Sequence, residues 1–230
     1  MGAIDEGCRQ IGRMKLLLPP RKDQAMTSVE IVVVIVVILV LIAVLFPSTN
    51  TPKRKARRIT CVNNLKQVGL ALKIWEGNHN DYAPQGLSIT NGGAKELLLT
   101  GNVAGYFRSM SAELTTPRLL YCPADNEHDI AVNFTNLSNH EVSYFVAPNA
   151  VDSQPNRLLF GDDNFAIDGV PLKSGAVNLW SNHSVKWGEN RHVHAGNVAL
   201  ADGSVLQINN AGLANLLIQS GDATNLVVIP

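Results

Sequence analysis

Met26-Thr27-Ser28-Val29-Glu30, followed by Ile31 to Phe46 without one polar side chain, decides the fold of this chain. Eleven of the sixteen residues from Ile31 to Phe46 are Val or Ile, which in water favour a strand. A strand this long and apolar has no place in a small soluble sheet. In lipid the backbone must satisfy its own hydrogen bonds, so the same residues predict a helix. The 21 residues Met26–Phe46 would span about 31 Å at roughly 1.5 Å per residue, the thickness of a bilayer's hydrocarbon core. Glu30 is the only charge near the run, one turn inside its start. A carboxylate in lipid costs on the order of 2.5–3.5 kcal/mol unless it pairs or reaches the interface.

Residues 1–25 carry charges of both signs and Pro19-Pro20, and read as a cytoplasmic leader, with Met14 an alternative start. An ordinary secretory signal would have a shorter apolar core ending in a small-x-small site. Here Pro47-Ser48-Thr49-Asn50-Thr51-Pro52 follows Phe46, so the apolar run reads as an anchor kept in the mature protein. Beyond it about 180 residues remain, enough for one domain with a core. The whole chain has 230 residues and balances 19 basic against 19 acidic side chains, so there is no general attraction to nucleic acid.

From Lys53 the pattern turns amphipathic. Cys61, Leu65, Val68, Leu72 and Trp75 recur at steps of four and three, and Gly77-Asn78 closes the run. The stripe needs a partner surface, most simply a sheet. The basic cluster Lys53–Arg58 offers contacts to phosphates of nucleic acid or lipid, but reads more simply as a solvated helix start near membrane headgroups. Beyond residue 78 the signals are those of a loop-rich β domain. They comprise a short helix at 94–100, strands at Val142–Val146 and Arg157–Phe160, a helix around Leu213, Leu216 and Leu217, and a strand at Leu226–Ile229. Asp202-Gly203 predicts a two-residue hairpin turn, which puts Val198, Leu200 and Val205 on one face.

Several residues invite a chemical reading. His183, His192, His194 and Asp202 form the candidate set: His192 and His194 would point to one side of a strand and bind zinc, with Asp202 as third ligand or base. A hydrogen bond from His192 to the turn carboxylate of Asp202 is the simpler account. Asp162-Asp163-Asn164 with Asp168 has oxygen ligands for calcium, but lacks the glycine and terminal glutamate of an EF-hand, and a polar turn explains it as well. No Gly-x-Ser-x-Gly elbow supports a Ser-His-Asp hydrolase, and no Cys/His spacing supports structural zinc. The residues therefore specify no metal, cofactor or enzymatic activity. The alternative kept open is a periplasmic binding module or metal-dependent hydrolase tethered by a single helix.

Ala25-Met26-Thr27-Ser28-Val29-Glu30 before an apolar helix resembles the type IV prepilin processing site. That family is cut after a small residue, methylates the new N-terminus and carries Glu at the fifth mature position. The resemblance implies cleavage between Ala25 and Met26 by a prepilin peptidase, with Glu30 fifth and Pro47 at position 22, where pilins often carry a kinking proline. Ala25 stands where Gly is usual and Met26 where Phe is usual. A second resemblance is to a pilin-like family abundant in Planctomycetes and Verrucomicrobia, grouped with type II secretion or prepilin-type proteins. It rests on Cys61–Leu72, Asn80–Pro84, Tyr121–Asp125, Ser143–Phe145 and Gly196–Val205, with His192, Asp202 and Gly203 forming a His-x9-Asp-Gly motif.

These resemblances imply an α+β pilin-like fold, whose long N-terminal helix is transmembrane in its first half and packs on a C-terminal antiparallel sheet in its second. The divisions are a leader at 1–25, a transmembrane helix at 26–46, its amphipathic continuation at 47–78 and a periplasmic β domain at 79–230. The implied role is a structural subunit of a type II secretion or type IV pilus-like fibre in the inner membrane. Its partners would be prepilin peptidase, like subunits, the inner-membrane assembly machinery and lipid, with no nucleic acid. Met26 and Glu30 would be assembly contacts. The flanking charges point the other way: four Lys/Arg precede the anchor and six follow it, which by the positive-inside rule puts the C-terminal domain in the cytoplasm. The processing-site pattern is the more specific signal, and the periplasmic placement follows it. In that oxidising compartment Cys61 and Cys122 form a disulfide or stay as two buried thiols; both arrangements fit.

Overall fold

The computed structural model describes residues 26–45, 50–150, 154–179 and 183–230. The expected leader, Ala25, and the Phe46-Pro47 end of the anchor lie outside the described residues. The chain divides into two units between Ser48 and Thr49.

The first unit contains α1 (Ser28–Leu45). Thr27 caps it: its Oγ1 accepts from the Glu30 amide at 3.4 Å and its carbonyl from the Ile31 amide at 3.2 Å. Its described side chains, as far as Ile42, are exposed on every face. At roughly 1.5 Å per residue, α1 is about 27 Å long, short of a hydrocarbon core of about 30 Å. Among the described residues no helix is long and apolar enough to cross a membrane.

The second unit opens with α2 (Asn50–Asn78). Then come α3 (Lys95–Leu99), α4 (Val103–Ser109), α5 (Ser111–Leu114), β1 (Tyr144–Val146), β2 (Leu158–Asp162) and β3 (Phe165–Ile167). They are followed by β4 (Val170–Pro171), β5 (Gly175–Asn178), β6 (Val185–Trp187), β7 (Ala195–Leu200), β8 (Val205–Asn209), α6 (Asn210–Gln219) and β9 (Leu226–Ile229). The fold is α+β. One antiparallel sheet runs β5-β9-β1-β2-β7-β8, and a smaller one runs β4-β3-β6.

Period-two alternation sends the large sheet's side chains into two cores. Tyr144, Val146, Ala199 and Val228 join Cys61, Leu65, Val68, Leu72 and Trp75 of α2, with Tyr106 and Phe107 of α4. Phe145, Val198, Leu200, Val227 and Ile229 point the other way, onto α6 and the small sheet's Phe165 and Trp187. The register of β2 against β7 shifts between Leu158 and Phe160, and Leu159 and Phe160 accordingly enter the same core. Every member of the α2 stripe is 2 % exposed or less. Burial of each such side chain is worth roughly 1.5–3 kcal/mol. Gly196 faces the Trp187 ring, where an added Cβ would lie 2.5 Å from ring carbons, so the close approach of β7 to that ring requires glycine.

The hairpin corrects one expectation. Gly203 has φ 83°, and its amide bonds to the Leu200 carbonyl at 2.9 Å, while Asp202 keeps an ordinary negative φ. The loop is therefore three residues, Ala201-Asp202-Gly203, of the kind closed by a left-handed glycine, and not the two-residue Asp-Gly turn. One extra loop residue moves the register by one. Val205 lies opposite Ala199, and Val198 opposite Leu206, so Val205 faces α2 while Val198 and Leu200 face α6. The short helix expected at 94–100 is α3, but the rest of the stretch 84–120 departs from the expected loop-rich β region, since it holds α4, α5 and three 3-10 turns.

Candidate functional site

Cys61 of α2 and Cys122 are joined by a disulfide, with Cα atoms 5.1 Å apart. The helical stripe carries Cys61 inward. Cys122 sits just beyond the 3-10 turn Pro117–Leu120, where its amide donates to Ser143 Oγ at 3.1 Å. Beside the disulfide lies a buried polar cluster assembled from three segments: the turn 122–128, the end of β2 with residues 163–164, and the turn 188–194.

Arg191 is its centre. Its Nη2 is 2.7 Å from Asp125 Oδ2, its Nη1 is 2.6 Å from Asp163 Oδ1, and Nη1 donates to the Ser143 carbonyl at 2.8 Å. The side chain is 1 % exposed. His128 Nδ1 lies 2.8 Å from Asp125 Oδ2, and its Nε2 lies 3.6 Å from Asp163 Oδ2. Burial alone would raise Asp125. The His128 hydrogen bond, Arg191, Ser143 and the Glu127 amide outweigh that and hold its carboxyl well below the usual range. Burial similarly works against His128, but Asp125 and Asp163 win and raise it. Asp163 is raised by burial despite Arg191 and His128.

Next to this set, His192 Nε2 lies 3.3 Å from Asp162 Oδ2, 3.2 Å from Asn197 Nδ2 and 3.4 Å from Cys122 Sγ. Asp162 Oδ2 accepts from the Asn197 amide at 2.8 Å and from its side chain at 2.9 Å, while Oδ1 has no hydrogen-bond partner among the described residues. Burial pushes Asp162 up to about 7 against the pull of Arg191. Burial, then Arg58 and Arg191, pushes His192 down to about 4. At pH values between these two the proton sits on Asp162, and the pair is neutral. Arg58 of α2 reaches across to β7, donating to the Gly196 carbonyl at 3.3 Å and to Asn197 Oδ1 at 3.4 Å.

The structure separates most of the residues considered for metal binding. His192 is buried, but it precedes β7 in a turn, and its partner is Asp162, not Asp202. Asp202 is exposed at the hairpin tip, where its Oδ1 accepts the Ser204 amide at 2.8 Å. His194 is exposed beside Glu189, at 3.3 Å, and does not share a strand face with His192, because both Val193 and His194 have positive φ. His183 is exposed beside Asp168, also at 3.3 Å. Asp168 belongs to the β3–β4 turn and Asp162, Asp163 and Asn164 to the buried cluster, so the four do not converge as a calcium loop.

Two sets of ligand-type atoms do come within 4.8 Å of one another: Asp125, His128 and Asp163, and Cys61, Cys122 and His192. In the first, the Arg191 guanidinium already supplies the positive charge between the carboxylates. In the second, the sulfurs are bonded to each other. The cluster is thus a charge-compensated brace that ties α2, β2 and β7 together through the disulfide, Arg58 and Arg191.

Of the residues expected at a processing site, Met26 precedes α1, Glu30 occupies its first turn, and Ala25 lies outside the described residues. Glu30 is the third helical residue after the Thr27 cap, a position where a carboxylate is also favoured by capping and by the helix dipole. Reading the sequence assigned no role to His128, Arg191 or Asn197. The available signal was Asp162-Asp163 one glycine beyond the apolar run Leu158–Phe160, since carboxylates carried inward by a strand need a cation.

No family model matches the chain, and neither a curated protein nor a solved structure matches it.

Proposed function

We propose that this chain is a pilin-like structural subunit, of the type II secretion pseudopilus or type IV pilus kind, processed between Ala25 and Met26 and held in the inner membrane by the segment 26–46. The observation that carries this reading is α1: a helix apolar on all faces, whose single charge is Glu30, begun two residues after Met26. A helix exposed and apolar all round requires lipid or neighbouring helices to cover it. The 21 residues Met26–Phe46 match a bilayer core in length. The second unit supports the reading through the packing of α2 on an antiparallel sheet, with a disulfide that suits an oxidising, periplasmic compartment. Its buried polar cluster braces the fold, which suits a structural role.

In this reading the partners are a prepilin peptidase, like subunits meeting through α1, the inner-membrane assembly machinery and lipid. Mass spectrometry of the protein purified from membranes tests it. The expected N-terminus is Met26 carrying one added methyl on its amine. An N-terminus at Met1 or Met14, uncut and unmethylated, would overturn the processing and with it the subunit reading.

A further inference from the structure

A cleft of about 420 Å³ opens between the start of α2 and the turn that precedes β7, with Asn126 and Asn190 on its far side. Its near wall is cationic: Arg54, Lys55, Arg57 and Arg58, all within three turns of α2. Arg58 is spent on Gly196 and Asn197, and Arg191, behind the cleft, on its two carboxylates. Arg54, Lys55 and Arg57 are exposed, and none of them makes an ion pair with an acid among the described residues. Of the acids nearby, Glu189 lines the cleft 3.3 Å from His194 and Glu127 accepts from Asn190 at 2.6 Å, so the lining sets four basic side chains of α2 against one carboxylate.

Arg54, Lys55, Arg57 and Arg58 crowd four like charges into five consecutive residues of α2, with Arg54 and Arg58 at i and i+4. They repel one another, so the arrangement lowers its free energy when an anion enters. The rim adds a second sign. Val193 and His194 both adopt left-handed backbone, with φ of 52° and 56°, and for a β-branched residue that conformation is strained. Strain of this kind collects where a loop is held for binding.

We infer that this cleft binds the phosphate of an anionic phospholipid headgroup. The inference rests on the membrane placement of α1 proposed above. The covalent chain argues for lipid as the source: Arg54 follows Leu45 by nine residues, four of them before α2 begins at Asn50. So short a stretch of chain after the proposed anchor favours a lipid headgroup over a soluble anion as the source. Arg54, Lys55 and Arg57 hold the phosphate. The formal charge of the whole chain is zero, so the local field of the cleft, not the chain's net charge, selects the anion.

The test uses the full chain in a neutral detergent, with dihexanoyl phosphatidylglycerol as the probe and native mass spectrometry as the readout. Phosphatidylcholine of the same chain length, inorganic phosphate and a short single-stranded oligonucleotide are the comparisons. The variant is R54Q/K55Q/R57Q, which changes exposed side chains only and should melt with the parent. One phosphatidylglycerol per chain is expected, at least about tenfold tighter than phosphatidylcholine, with that preference lost in the variant and weakened by salt. Equal binding of the two lipids, or an unchanged preference in a folded variant, overturns the site. Inorganic phosphate or the oligonucleotide binding as tightly as phosphatidylglycerol overturns the lipid as its ligand. Retention on neutral phosphatidylcholine vesicles through an alkaline wash reports α1 separately, so loss of the anchor and loss of the cleft are told apart.

Discussion

The Nε2 of His192 lies 3.4 Å from the Sγ of Cys122, so the imidazole closes one side of the Cys61–Cys122 disulfide. Both cysteines are fully buried. A reductant therefore meets the bond only when the domain opens. The two cysteines are 61 residues apart, and closing a loop of that size contributes on the order of 4 kcal/mol in the chain-entropy model. Replacing Cys61 and Cys122 with alanine should lower the melting temperature by about 8–16 °C, at roughly 2–4 °C per kcal/mol for a domain of this size. Thiol labelling of the unfolded, unreduced protein should find no thiol at either position. Label at both would end the idea of a bond, and a double variant melting with the parent would remove its importance.

Arg191 supplies the next prediction. It bridges Asp125 and Asp163 with its side chain 1 % exposed. Removing one partner of such a group strands buried charge, which typically costs about 3–5 kcal/mol. Arg191→Met should lose about that much in urea unfolding. Arg191→Lys should recover only part, because one ammonium cannot serve two carboxylates and the Ser143 carbonyl as a planar fork does. Adding Asp125→Asn and Asp163→Asn to Arg191→Met should restore stability relative to Arg191→Met alone. If the triple variant is no better than the single one, the loss comes from packing and not from charge.

The Asp162–His192 pair predicts a pH dependence that appears only when the pair is broken. Asp162 is raised to about 7 in the fold and His192 lowered to about 4. The unfolded values are about 3.9 and 6.5. Between roughly pH 4 and 6.5 each state binds one proton to the pair, so the two contributions cancel. Taken alone, the raised Asp162 makes stability fall as pH climbs from about 4 to about 7. The lowered His192 alone makes it rise from about 4 to about 6.5. His192→Gln keeps the first effect and removes the second. Relative to the parent, this variant should lose stability steadily from about pH 5 to pH 7 in chemical unfolding. Parallel profiles for the two proteins would show that Asp162 does not hold the proton.

These three predictions concern a cluster that was only partly legible in the sequence, and the reason is physical. Cys61, Leu65, Val68, Leu72 and Trp75 announce α2 because five buried residues repeat one helical period over four turns. β1, β2, α6 and β9 are legible because each is a short apolar run between turn residues. α4 and α5, of seven and four residues, are too short for periodicity to register, and β3 to β6 have two to four residues each. The hairpin was found but its register misjudged, since Asp-Gly suits both a two-residue and a three-residue loop and only φ at Asp202 separates them. Arg191 carries no local signal: an arginine in a polar turn reads as solvated until tertiary packing buries it. His192 and Asp202 look like partners at a fixed spacing, yet one serves the core and the other caps a turn.

The remaining prediction concerns Glu30 and follows from the proposed role. Processing after Ala25 would create an amine at Met26, four residues before Glu30 and two before α1 begins. Inside lipid a lone carboxylate needs a cation, and no other residue from Met26 to Phe46 can provide one, while Arg21 and Lys22 leave with the leader. The amine of the same chain or of a neighbouring subunit is the available partner, and pairing between subunits would set the axial stagger of a fibre. The helix itself offers a competing explanation, because Glu30 sits at the third position after the Thr27 cap, where glutamate supports the helix start. Glu30→Gln separates the two: glutamine can still bond back to the cap but carries no charge. Glu30→Ala, Glu30→Leu and Glu30→Gln should all leave a processed, membrane-inserted protein with its disulfide-bonded domain folded, and all should fail to enter fibres. Recovery of sheared fibres, scored against the membrane-bound pool, measures this. Assembly rescued by glutamine but not by alanine would assign Glu30 to the cap, and assembly in all three would leave it without a role in either.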